Sequence, residues 1–76
     1  MRTDEAFKLI EHEYLRASDL YPDLHSNHEA YAVIKEEVDE LWDEVKKNKD
    51  TNGNKQIRNE LIQIGAMVIR YLENLC

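Results

Sequence analysis

Cysteine is almost missing from this sequence: Cys76 is the only one, so no disulfide can close within the chain. A lone free thiol fits a reducing compartment and argues against a secreted, cross-linked scaffold. No apolar run approaches membrane-spanning length, and Met1-Arg2-Thr3-Asp4-Glu5 offers no apolar signal segment. The expectation is a cytoplasmic protein with no membrane partner. Basic residues are also scarce, 10 against 16 acidic ones, for a net charge of −6. A nucleic-acid backbone needs a basic patch. The group Lys46, Lys47, Lys49 is a poor substitute, because it ends a helix where cations suit the dipole anyway. Nucleic acid is not an expected partner. Glycine occurs twice and proline once, and no glycine-rich phosphate loop, internal repeat or low-complexity segment is present.

What remains is helix. Residues 1–76 form one small domain, of a size that buries only about 60% of its unfolded surface and often recruits a metal or a second chain. In the first segment, Thr3 to Leu20, the apolar residues Phe7, Ile10, Tyr14, Ala17 and Tyr21 recur every three or four positions. Pro22 closes it, and Pro22-Asp23-Leu24-His25 reads as a short polar linker. Ser26-Asn27-His28-Glu29 has the form of a capping box, opening a second helix from Asn27 to Asn48. The stretch from Asn48 to Asn54 is the clearest loop, with an Asn-Gly turn at Asn52-Gly53. A third helix follows from Lys55 to Leu75, with a seam of Ile57, Leu61, Ile64, Val68, Tyr71 and Leu75. Ile62, Met67 and Ile69 make that helix apolar on other sides as well, more than two neighbours from one chain can cover. Gly65 within it suits close helix packing. The expected fold is all-α: three helices per chain in a bundle completed by homo-oligomerisation.

The chemistry is expected in the second helix. Between Glu36 and Glu44, six of nine residues are acidic. At about 100° per residue, Glu37, Glu40 and Glu44 share one stripe beside the apolar seam. Such a block commonly solvates an outer face. Carboxylates three and four apart on one edge also repel each other unless a cation sits between them. Glu60 and Gln63 repeat the three-residue spacing in the third helix, so an antiparallel hairpin brings Glu37, Glu40, Glu60 and Gln63 to one place. Closely spaced oxygens are what a hard divalent cation such as magnesium takes.

With these residues in place, Glu36-Glu37-Val38-Asp39-Glu40 followed by Glu60-Leu61-Ile62-Gln63 resembles the MazG-like all-α nucleoside triphosphate pyrophosphohydrolases, whose hallmark is EExxE and then ExxD. The runs from His28 to Trp42 and from Glu60 to Arg70 look like the small MazG-like proteins of phages and prophages, and the likeness spans Ser26 to Leu75. It implies a cytoplasmic homodimer or homotetramer that binds Mg²⁺, or Mn²⁺ in its place. The implied reaction converts an NTP or dNTP substrate and water to the nucleoside monophosphate and pyrophosphate. Carried across, Glu37, Glu40 and Glu60 are the catalytic and metal-binding carboxylates, with Gln63 as a fourth ligand. Gln63 departs from the pattern, which has Asp there; an amide oxygen can ligate but brings no charge. A silent MazG-like dimer serving as a binding or regulatory subunit is the alternative.

Overall fold

Asp4 and Glu5 lie in the first turn of helix α1, Thr3–Leu20, where negative charge suits the dipole, and the Arg2 N–H donates to Glu5 Oε1 at 3.4 Å. The helix ends where Pro22 forces it to: Tyr21 takes an extended conformation, and its N–H still closes on the Ala17 carbonyl at 2.9 Å. Helices α2, Asn27–Lys47, and α3, Gly53–Leu75, complete the chain. The computed structural model describes residues 1–47 and 53–76. Residues 48–52 of the expected loop lie outside those described. Gly53 and Asn54, expected in that loop, instead open α3. Among the described residues there is no strand, and no helix is long and apolar enough to cross a membrane.

Helix α2 starts on half of the expected capping box. The Glu29 N–H donates to Ser26 Oγ at 3.1 Å, but the Glu29 carboxylate reaches one residue further back, accepting the His25 N–H at 2.6 Å. Both bonds satisfy donors that would otherwise lack partners at the helix entrance.

Helix α3 is the centre of the fold. It packs against α1 on one side and α2 on the other, and α1 and α2 do not pack on each other. Two of its residues show the arrangement. Tyr71 and Glu73 are about 200° apart round the helix; Tyr71 donates to Asn27 Oδ1 of α2 at 2.9 Å, and Glu73 accepts from the Tyr14 hydroxyl of α1 at 2.6 Å. The apolar cluster of Leu24, Ala30 and Met67, joined by Val33, Ile34, Tyr71 and Leu75, fills the α2 side. Leu24 overturns the polar reading of the linker: it is 8% exposed, and its N–H donates to Asn74 Oδ1 at 2.7 Å. The linker is thereby pinned across α3.

This arrangement leaves the body 39 × 26 × 19 Å and its flat faces open. Among the described residues no large side chain is fully buried, while Phe7, Tyr31, Trp42, Leu61 and Leu72 are each at least half exposed. A globular monomer of this mass exposes about 4,850 Å², whereas this chain exposes 5796 Å². On α2 the exposed residues Tyr31, Val38, Trp42 and Val45 share one edge, centred about 110° round the helix from Glu37 and about 170° from Glu40.

Candidate metal centre

The antiparallel run of α2 and α3 brings together Glu37, Glu40 and Glu60. One carboxylate oxygen from each lies within 4.8 Å of the other two, and this is the one such acidic or metal-ligating group of three among the described residues. Glu37 and Glu60 are half-buried and Glu40 is exposed, so the group has an inner and an outer side. Two oxygens on one Mg²⁺ lie at most about 4.2 Å apart. Three oxygens on one octahedral ion include neighbours only about 3.0 Å apart, so the trio closes on a single ion once side-chain rotations draw its oxygens together by up to about 2 Å.

The electrostatics of the trio are unfavourable as they stand. Glu37 Oε2 and Glu60 Oε2 are both buried without a hydrogen-bond partner. Burial, followed by the negative charge of Glu40 and the proximity of Glu60, pushes the Glu37 carboxyl up to about 7 from 4.5. The lysines of α2 do not help: Lys35 pairs with Asp39 at 3.1 Å, Lys46 with Asp43 at 3.4 Å and Lys47 with Glu44 at 3.2 Å. Glu44, on the same stripe in the sequence, is therefore taken by Lys47, and Glu36 is exposed on another side. Among the described residues no ion pair neutralises Glu37, Glu40 or Glu60. Among the described residues, these three carboxylates are the group that could hold a hard metal ion.

Gln63 stands one turn beyond Glu60, half-buried, and lines a cleft of about 390 Å³ that Glu37 also lines. The cleft runs between α1 and the start of α2, over α3, to Arg70. Arg70, which sequence alone does not set apart from the other basic residues of α3, is buried at 4% exposure. Its signal was its position seven residues after Gln63, two turns along the same stripe. Trp42 stands 58% exposed with the Lys46 ammonium 5.8 Å from its ring centre, away from the carboxylates. His25 and His28 are exposed and join no metal-ligating group among the described residues. Cys76 is an exposed free thiol.

No protein-family model, curated protein or solved structure matches the chain.

Proposed function

We propose that this chain is a MazG-like, Mg²⁺-dependent nucleotide pyrophosphohydrolase, converting a (d)NTP and water to a (d)NMP and pyrophosphate. One observation carries the reading: Glu37, Glu40 and Glu60, from two helices, converge with ligand oxygens within 4.8 Å, and two of these residues bury an oxygen that has no partner. The donor set fits Mg²⁺, which is commonly held by few carboxylates and keeps positions for substrate phosphates. When bound, Mg²⁺ supplies charge neutralisation for the triphosphate and a lowered pKa for a coordinated water.

The chain's own residues do the rest. Glu37 and Glu60 hold the inner side and fix the ligand geometry through the packing of α2 on α3. Glu40, exposed, faces the side from which a triphosphate approaches. Gln63 offers a neutral oxygen or an amide donor at the mouth of the cleft. In the hydrolysis, the water oxygen bonds to the α-phosphorus and the bond to the β-phosphate oxygen breaks. The proton released has the carboxylates of the trio as adjacent bases.

Assembly as a homodimer or homotetramer belongs to the same proposal. It is supported by the exposed apolar residues of α2 and α3 and by an excess surface of about 950 Å², against about 800 Å² removed from each partner in a standard interface. The cytoplasm is the compartment this reading implies. Gln63 favours a second reading, a catalytically silent subunit that binds nucleotide or a partner, because it brings no charge where the resembled pattern has Asp. Pyrophosphate release across a panel of (d)NTPs, with Mg²⁺, Mn²⁺ or a chelator, separates the two. Metal-dependent release supports the hydrolase; its absence with nucleotide binding retained supports the silent subunit.

A further inference from the structure

Arg70 is the buried charged side chain among the described residues, and it pairs with no carboxylate there. Its Nη2 donates to the Pro22 carbonyl at 2.7 Å and the Tyr21 carbonyl at 3.4 Å, while Nη1 reaches only Met67 Sδ at 3.8 Å. A guanidinium carries five donors and a full charge, and burying it beside a thioether leaves donor capacity unspent. Arg70 walls the cleft of about 390 Å³ that ends at Glu37 and Gln63, a volume within the range of small-molecule pockets.

The nature of the group that meets Arg70 follows from distance and charge. Arg70 lies ten residues along α3 from Glu60, a rise of about 15 Å. A triphosphate held at the carboxylates therefore has its sugar and base, not its phosphates, toward Arg70. The lining charges agree: Glu13, Glu29 and Glu37 outnumber Arg16 and Arg70, and Arg16 is already engaged by Glu13 at 2.6 Å. An anion is disfavoured at that end, whereas a flat neutral ring finds apolar walls in Val33 and Met67.

We infer that this cleft receives the nucleoside end of the substrate and that Arg70 discriminates the base by its exocyclic group. A carbonyl at purine C6 or pyrimidine C4, as in guanine, uracil and thymine, accepts from the guanidinium. An amino group at the same position, as in adenine and cytosine, meets donor with donor. The inference rests on the nucleotide reading above and adds to it a base preference with a named origin.

The test uses the full chain without metal, in chelator, so that neither catalysis nor phosphate binding contributes. Guanosine, uridine, adenosine and cytidine are titrated while the Arg70 Nε–H resonance, identified by its loss in Arg70→Lys, is followed by NMR. Guanosine and uridine are expected to shift it, and adenosine and cytidine to leave it in place. In the metal-loaded protein, Arg70→Lys is expected to lower the ratio of kcat/KM for GTP over ATP about tenfold. An equal response to all four nucleosides, or none, overturns the inference, as does an Arg70→Lys protein that is less stable but keeps the same ratio. Selective shifts without hydrolysis leave the pocket standing and remove the hydrolase. Metal-dependent hydrolysis without selective shifts removes the pocket alone.

Discussion

Ile10 of α1 lies against the bare α-carbon of Gly65 in α3: a methyl group placed there would sit 2.8 Å from Ile10 Cδ1, 3.0 Å from Cγ1 and 3.3 Å from Cγ2. A χ1 rotation that moved all three atoms would take Ile10 out of the one rotamer strongly preferred by a β-branched side chain in a helix. Gly65→Ala gains up to about 1 kcal/mol of helix propensity but overpacks the contact by about 1–3 kcal/mol. The expected outcome of thermal denaturation is a lower melting temperature. Adding Ile10→Val to Gly65→Ala should recover part of the loss, a non-additivity that unrelated sites would not give.

The carboxylate trio predicts a metal response. Mg²⁺ or Mn²⁺ should raise the melting temperature, since the ion binds the folded trio and not the unfolded chain. Glu37→Gln or Glu40→Gln should abolish most of that rise while making the metal-free protein more stable at neutral pH. Variants that kept the full metal response would show that these carboxylates are not the ligands.

The same trio predicts a pH dependence of definite sign. Glu37 titrates near 4.5 in the unfolded chain and at about 7 in the folded one. Below 4.5 it is protonated in both states and contributes nothing. Between 4.5 and about 7 the folded state holds the extra proton, so metal-free stability falls as pH rises, and the penalty levels off above 7. The measurement is the stability difference between wild type and Glu37→Gln in chelator across that window. Metal affinity should rise over the same window, as the proton and the cation compete for one carboxylate.

Gln63→Asp places a charged oxygen beside a trio that already repels itself. Without metal it should cost about 1–3 kcal/mol through the lost amide and added repulsion. With Mg²⁺ it should recover that loss, bind the ion more tightly and release pyrophosphate faster than the natural chain. A variant that recovered neither stability nor activity would identify Gln63 as a packing amide and favour the silent subunit.

Assembly is open to a direct measurement. Sedimentation equilibrium at micromolar concentration should give a dimer or larger species. Trp42→Glu, which charges the exposed edge of α2 without touching the carboxylates, should shift it toward monomer. A well-folded monomeric wild type would remove the assembly argument.

The helices were legible because their signals are local. Spacing, the cap at Ser26 and the stop at Pro22 mark α1 at Thr3–Leu20 and start α2 at Asn27, as found. The meeting of Glu37, Glu40 and Glu60 was also legible, since three-residue spacing in two antiparallel neighbours leaves little freedom. What was hidden depends on α3 having neighbours on opposite sides. The seam through Ile57, Leu61 and Val68, with Ile62, Met67 and Ile69 on other sides, leaves open which sides the two neighbours take: Leu61 and Val68 are exposed, and Ala66, Met67 and Arg70 are the buried residues of α3. Leu24 was hidden for a related reason: only the path of the linker over α3 decides whether a lone leucine among polar residues is covered.

The separation of α1 from α2 divides the cleft into two inheritances. Every carboxylate of the trio rides on the α2–α3 hairpin, while α1 and the residues just after it supply the outer wall through Glu13, Arg16, Ala17 and Tyr21. Substitutions confined to that wall can reshape what the cleft admits without displacing an oxygen of the trio. Selection, natural or in the laboratory, thus has one helix on which to vary the outer wall while the oxygens of the trio keep their places on the other two.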